Sequence, residues 1–361
     1  DTPRIDYTDG GCPVLLTEPQ RTNKVTNSSE MSKYGSNVTV IDNSTVSPNG
    51  SIDASKVTKN GVSANDRIDI TNVVLLNGSD FSVSAFIKNE DIAIGGVTTL
   101  GVRISGGTLF RQGYKWNGDT PSLTVDYNSG TKTNVLLEDY GNGWWRIGYS
   151  FNSDGTTSDI EIDIDRVNAT DTTSVFLWGA QLEEGSYSTS YIPTYGAVRT
   201  RLQDTVLGAG TSSDFNSAEG TIFAEISALS PQAVQSSYIT ISDGTYNNRA
   251  SILFSIGATN SIRTFLRVGG VSQIDVTNSV NDVQALNKIA FSYKENDFKV
   301  YVNGVLSKFD TSGLVWSANT ITKLSFSEIN TSTAPFFGKT SQVQVFKTAL
   351  TDAELITLTT I

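Results

Sequence analysis

The sequence predicts an all-β protein of two β-sandwich domains in tandem, finished by one short C-terminal helix. Three observations lead there. The chain has 361 residues, more than one sandwich usually needs, and an even split leaves two lengths that each suit one. It is poor in charge and Met and rich in Gly. Ser, Thr and Asn crowd between short Val/Ile/Phe/Tyr runs, which favours strands and turns over helices.

The elements follow in chain order. Residues 1 to 20, with Gly10-Gly11, Pro13 and Pro19 around Val14-Leu15-Leu16, read as an extended lead-in. Alternation starts at Val38 and marks strands at Phe81 to Ile87, Leu123 to Tyr127, Trp145 to Phe151, Ile160 to Ile164 and Val175 to Trp178, each bounded by Gly, Asn, Asp or Ser. These belong to a first sandwich over 21–197. Gly208-Ala209-Gly210-Thr211-Ser212-Ser213 is linker-like, so 198–216 is assigned as the connection. The second sandwich, 217–361, has strands at Thr221 to Ala228, Tyr238 to Ile241, Ile252 to Ile256, Thr264 to Val268 and Ile289 to Tyr293. Asn303-Gly304 between alternating runs predicts a type I′ hairpin. Thr351-Asp352-Ala353-Glu354 has capping-box spacing, and Leu350, Leu355 and Leu358 supply an apolar side for the terminal helix.

Composition then excludes function classes. A formal net charge of −11 argues against attachment to nucleic acid or to an anionic membrane, since phosphate contacts need clustered Lys and Arg, and a neutral ligand fits better. Cys12 is the single cysteine, so an intrachain disulfide and a Cys-based zinc site are both excluded. No apolar run approaches the ~20 residues needed to cross a bilayer, and Asp1 to Asp6 lack a signal-peptide pattern, so a soluble chain or a fragment of one is expected. The chain has no histidine, which removes His triads, His metal sites and imidazole acid/base chemistry.

Sugar recognition needs an aromatic face for the C–H side of the ring and amide, carboxylate or guanidinium groups for the hydroxyls. Trp144 and Trp178 lie beside apolar runs and read as packing residues. Trp145 follows Trp144 directly, and adjacent strand residues face opposite sides, so one of the pair is free to face outward. Tyr114, Trp116 and Asn117 sit in the polar segment Arg111 to Asp119, where Tyr114 and Trp116 share one face of a strand. That segment suits either a ligand contact or a hairpin whose aromatics cover the sandwich edge. In the second sandwich the candidates are Trp316 and the loop residues Tyr246, Asn247 and Arg249, although Asp243-Gly244 and Asn247-Asn248 also favour a tight turn for backbone reasons alone. Bound Ca²⁺ is a further candidate, with Asp80, Asp119, Asp154, Asp159, Asp243 and Asp297 as loop-placed oxygens and no EF-hand spacing among them.

The segments Asn142-Gly143-Trp144-Trp145-Arg146, Trp178-Gly179-Ala180-Gln181-Leu182-Glu183-Glu184-Gly185 and Thr189-Ser190-Tyr191-Ile192-Pro193-Thr194 together resemble a carbohydrate-binding-module-like domain of phage tail proteins. Leu15 to Asn23 resembles the segment that introduces that domain. Residues 217–361 are similar to concanavalin A-like, laminin-G-like domains, notably at Ser242-Asp243-Gly244, Tyr301-Val302-Asn303-Gly304 and Phe336-Phe337-Gly338-Lys339. The resemblance implies jelly-roll sandwiches and a non-catalytic receptor-binding or adhesion role. The implied setting is a virion or the extracellular space, as part of a phage tail or of a larger secreted glycan-active protein. A polysaccharide or cell-surface glycan is the implied partner, with a homo-oligomer such as a trimer, or a larger virion assembly, as context and with further regions upstream.

Two rivals remain, a structural virion decoration and a glycan-cleaving enzyme. For the enzyme, Glu161-Ile162-Asp163-Ile164-Asp165 resembles the acidic strand of laminarinase-like glycosidases, with neighbouring acids ~6.6 Å apart on one face. Arg166 stands where that motif needs a second glutamate. The strand otherwise reads as amphipathic, with Ile160, Ile162 and Ile164 inward and the acids in water.

Overall fold

The computed structural model describes residues 3–7, 12–62, 66–126, 130–231, 237–255 and 257–361. Gly10-Gly11, Tyr127 and Ile256, which the sequence reading places in the lead-in and at two strand ends, lie outside them. Among the described residues every strand pairing is antiparallel, and the single α-helix is Asp352–Thr359. The protein is all-β, built as two β-sandwiches.

Their arrangement along the chain is not a simple tandem. One unit comprises Gln20–Leu202 and the other Asp1–Pro19 together with Gln203–Ile361. The expected lead-in is therefore part of the second sandwich: Arg4–Asp6 pairs with Val14–Thr17, and Val14–Thr17 pairs with Gly338–Phe346. The expected linker is structured as well. Arg199–Arg201 pairs with Arg21–Asn23, Ala209 bridges Leu324, and Phe215 is buried in the second core. Arg4 and the backbone N–H of Glu18 both bond the Asp204 carboxylate, which ties the entry of the inserted unit to its exit.

The inserted unit stacks two six-stranded sheets. One runs Thr120–Asp126, Leu109–Asn117, Val97–Ile104, Thr157–Asp163, Arg67–Val74, Gly35–Ser36. The other runs Thr133–Asp139, Trp145–Asn152, Asp80–Asn89, Ser174–Glu184, Ile52–Lys59, Val38–Val46. Alternate residues from both meet in one core, with Ile68, Leu100, Val102 and Ile162 from the first sheet against Phe81, Val83, Ile147 and Leu182 from the second.

The second unit stacks a seven-stranded sheet on a five-stranded one. The larger contains Glu219–Ala228 between Gly338–Phe346 and Asn287–Lys294, followed by Asp297–Val302 and Val305–Asp310. Asn303 and Gly304 both have positive φ, 50° and 81°, as the type I′ hairpin requires. The smaller sheet runs Val271–Ser279, Ser261–Val268, Arg249–Phe254, Ser237–Ser242, Lys323–Ser325. Ile222, Phe291 and Val300 of the first meet Ile239, Ile252, Ile262 and Leu266 of the second. The helix starts at a capping box in which Thr351 and Glu354 bond each other's backbone N–H groups, and Leu355 packs on Phe223, Ala290 and Tyr301 behind the larger sheet.

Candidate functional site

The outer face of the five-stranded sheet gathers three arginines around one phenylalanine ring. Ile262 and Leu266 of Ser261–Val268 point into the core, so Arg263, Phe265 and Arg267 share the opposite face. The register then aligns neighbours across strands: Arg249 lies opposite Arg267 and opposite Ser242, and Ser242 lies opposite Lys323. With strands ~4.8 Å apart, three cations fall on one cross-strand row roughly 14 Å long.

Phe265 is the floor of this face and is only 2% exposed. The guanidinium carbons of Arg249, Arg263 and Arg267 lie 5.1, 5.3 and 5.5 Å from its ring centroid. Tyr238 meets the ring edge-on with centroids 6.4 Å apart, and Leu253 completes the apolar floor. The negative face of an aromatic ring attracts cations at this range, so Phe265 holds the arginines in place and is itself covered by them.

The three charges are compensated unequally. Arg263 donates through Nε to Asp275 Oδ1 at 2.7 Å and through a second nitrogen to Oδ2, a bidentate pair that raises its pKa. Arg249, 3% exposed, donates to Glu328 Oε1 at 3.1 Å, while its Nε is buried without an acceptor. Burial pulls its pKa below the ordinary value, the Glu328 carboxylate opposes that, and the like charge of Arg267 adds to the depression. The Arg267 guanidinium makes no hydrogen bond or ion pair among the described residues.

The loop after Ser242 borders this face. Asp243 Oδ1 accepts from the Thr245 backbone N–H at 2.8 Å, and its Oδ2 accepts from Asn248 Nδ2 at 2.8 Å. Burial alone raises the Asp243 pKa, but these hydrogen bonds outweigh it and hold the carboxyl below the usual range. Gly244, with φ of +89°, makes the turn. The Asn247 carbonyl accepts from Gly270 N–H at 2.9 Å, which fixes the loop to the neighbouring hairpin. The loop presents Tyr246, 46% exposed, with the Arg249 guanidinium carbon 5.1 Å from its ring centroid.

Three of the residues singled out from sequence, Tyr246, Asn247 and Arg249, thus stand at one site, Arg249 as its buried base. Five others do not contribute. Tyr114 and Trp116 do share a face, but it is the core face. Trp116 is 0% exposed with its Nε1 donating to Thr98 Oγ1 at 2.9 Å, and the Tyr114 hydroxyl donates to the Gly148 carbonyl at 3.1 Å. The polar residues of that segment, Arg111, Lys115 and Asn117, lie on the other side of the strand, with Asn117 exposed at its end. Trp316 is buried in the second core, edge-on to Tyr293, and bonds the Arg267 carbonyl from beneath the sheet at 2.7 Å. Trp145 packs half-buried on the first core with its Nε1 on the Asp119 carbonyl at 2.9 Å, while Trp144 joins Phe86, Phe176 and Trp178 in a separate buried cluster. Sequence reading missed Arg263, Phe265 and Arg267. Their signal is the alternation Arg-Thr-Phe-Leu-Arg, which puts two cations and a ring on one face.

The acidic strand also departs from expectation. Ile160, Ile162 and Ile164 face the core as the alternation requires, but Glu161 and Asp163 are buried on the opposite side, not solvated. Glu161 receives Arg103 Nε at 2.7 Å, Arg67 at 3.3 Å and Arg111. Burial works to raise its pKa, and these guanidiniums overcome it, so the carboxyl titrates below its ordinary range. Asp163 Oδ2 accepts from Thr99 Oγ1 at 2.7 Å and from Arg166 at 3.0 Å. Glu161, with its pKa lowered by its arginines, lacks the raised pKa that a glycosidase acid requires. Among the described residues no group of three or more His, Cys, Asp or Glu side chains is placed to hold a metal ion. Nor is any helix among them long and apolar enough to cross a membrane.

Residues 203–356 match a family model described as the concanavalin A-like lectin/glucanases superfamily. Solved structures with a similar chain path include the following three. The CBM40 of a Ruminococcus gnavus IT-sialidase bound to α2,3-sialyllactose has a TM-score of 0.36 and 18% identity, over 44% of this chain and 97% of that one. Domain 4 of AbnA, a GH43 extracellular arabinanase from Geobacillus stearothermophilus, in complex with arabinotriose, has a TM-score of 0.33 and 15% identity, over 48% and 80%. Sheep galectin-11 in complex with glycerol has a TM-score of 0.25 and 11% identity, over 40% and 95%. No curated protein sequence matches the chain.

Proposed function

We propose that this protein is a non-catalytic carbohydrate-binding protein whose second sandwich holds a glycan on the outer face of its five-stranded sheet. The observation that carries the reading is the arginine row over Phe265 beside the exposed ring of Tyr246. It combines a presented aromatic face with fixed polar donors, the two elements that sugar rings require. The match of residues 203–356 to a superfamily of lectins and glucanases supports a glycan as the ligand. The absence of histidine and the ionised, arginine-locked Glu161 support binding without cleavage.

The setting we propose is the receptor-binding or adhesion part of a phage tail or of a secreted glycan-active protein. It rests on the signature segments at Trp178 to Gly185 and Thr189 to Thr194. Repetition of the site on an assembly would supply avidity to individually weak contacts. A glycan array and a whole-cell binding assay with the folded chain test the reading together, with retention on a subset of glycans or cells expected. Negative results in both overturn it. Release of reducing ends from a bound polysaccharide would overturn the non-catalytic part.

A further inference from the structure

We infer that the glycan bound on this face is acidic, and that Arg249 and Arg267 grip a carboxylate or sulfate group of it. This rests on the glycan-binding reading and goes further by naming the chemical class.

The two arginines are direct cross-strand partners in the ladder. Like charges placed opposite one another on one sheet face are destabilising, and here the pair also sits over a buried ring. Arg263 is neutralised by Asp275 on the same face, and Glu328 takes one donor of Arg249. Among the described residues the Arg249 Nε is buried without an acceptor, and the Arg267 guanidinium has no hydrogen bond or ion pair. An anionic group seated against the two guanidiniums, a flat carboxylate or a tetrahedral sulfate, would give the Arg267 donors an acceptor and cancel the repulsion at once, through charge-assisted hydrogen bonds that guanidinium forks make well.

The alternative, a neutral sugar stacked on the floor of the face, is closed by geometry. Phe265 offers almost no surface, because the guanidiniums, Tyr238, Leu253 and Ala334 already cover it. A ligand therefore meets cations first, and only Tyr246 at the margin offers a ring to stack on. The net charge of −11 on the whole chain disfavours indiscriminate polyanion binding, so acid selectivity must come from this local pair.

The test is an array of matched glycans, each acidic member beside its own neutral form: uronic acid polymers with their carboxyl-reduced products, and sulfated glycans with their desulfated products. The probes are applied to the full chain, to Arg267→Gln and to Lys308→Gln as a surface control on the other sheet. The expected result is preference for acidic members by about tenfold or more, lost in Arg267→Gln and kept in Lys308→Gln. The thermal midpoint of unliganded Arg267→Gln is expected to equal or exceed that of the wild type, because a like-charge contact is removed. Equal binding of acidic and neutral members overturns the inference and leaves glycan binding standing. Failure to bind any member overturns both. Wild-type acid preference in a folded Arg267→Gln overturns the assignment to this arginine pair.

Discussion

Trp116 shows how burial redistributes the roles that a side chain advertises in the sequence. Its ring is enclosed in the first core and its one donor is used on Thr98. Trp116→Ala is expected to cost about 3–5 kcal/mol of stability by denaturant titration and to leave glycan binding by the folded fraction unchanged. At Glu161 the expected effect depends on pH. A carboxyl whose pKa is lower folded than unfolded adds stability above its unfolded value, and that stability disappears as pH falls through the folded value. The ordinary value is near 4.5, so the loss should begin below about pH 4.5 and continue downward. Glu161→Gln should flatten this part of the stability–pH curve while lowering stability at pH 7 by roughly 3–5 kcal/mol, the usual result of removing one partner of a buried ion pair, here that of Glu161 with Arg111. An unchanged acid limb in Glu161→Gln would assign the acid sensitivity to other groups.

At the scale of elements, two substitutions probe how the strands and the helix are held. A Cβ on Gly148 would lie 2.5 Å from the Val83 carbonyl oxygen on the adjacent strand. Gly148→Ala is therefore expected to destabilise the inserted unit by more than 1 kcal/mol, read as a lower denaturation midpoint. Thr351→Ala removes the side-chain half of the capping box, the acceptor of the Glu354 N–H, and should cost about 1 kcal/mol in the second unit alone. Long strands with one face in a core were legible from alternation, as at Phe81 to Ile87, and the helix from its cap. The short strands were not. Arg4–Asp6, Val14–Thr17 and Arg199–Arg201 each have three or four residues, too few for a period to show, and their partners lie hundreds of positions away or on another short strand. The site was half legible for a related reason. Alternation puts Arg263, Phe265 and Arg267 together, and Tyr114 with Trp116. It does not say which side faces the core when both sides carry large apolar groups, as Phe265 opposes Ile262 and Leu266.

For the whole molecule, the insertion of 20–202 into the second sandwich sets how the chain can be divided. The inserted unit begins and ends on paired strands, with Arg21 opposite Arg201, so residues 20–202 are expected to unfold cooperatively as an isolated fragment. Residues 203–361 alone lack the strand Val14–Thr17, whose Val14 is buried and whose Leu15 packs on the second core. Restoring residues 3–19 through a short linker should raise the thermal midpoint of that fragment by roughly 5 °C or more. Equal midpoints with and without the added segment would show that the first strands contribute nothing to the sandwich.

The same pairing of Val14–Thr17 with Gly338–Phe346 has a mechanical side. Tension applied between the first strand and the terminal helix enters and leaves through one sandwich. It is carried by the three rungs Leu15 to Thr340, Leu16 to Lys339 and Thr17 to Gly338, together with the Lys339–Asp6 ion pair and the bonds of Arg4 and Glu18 to Asp204. Residues 20–202 form a side loop off that load path and feel no force until those rungs part. Under shear the inserted unit would thus be shielded while the rungs hold, and the first event in a single-molecule pulling trace would be their rupture.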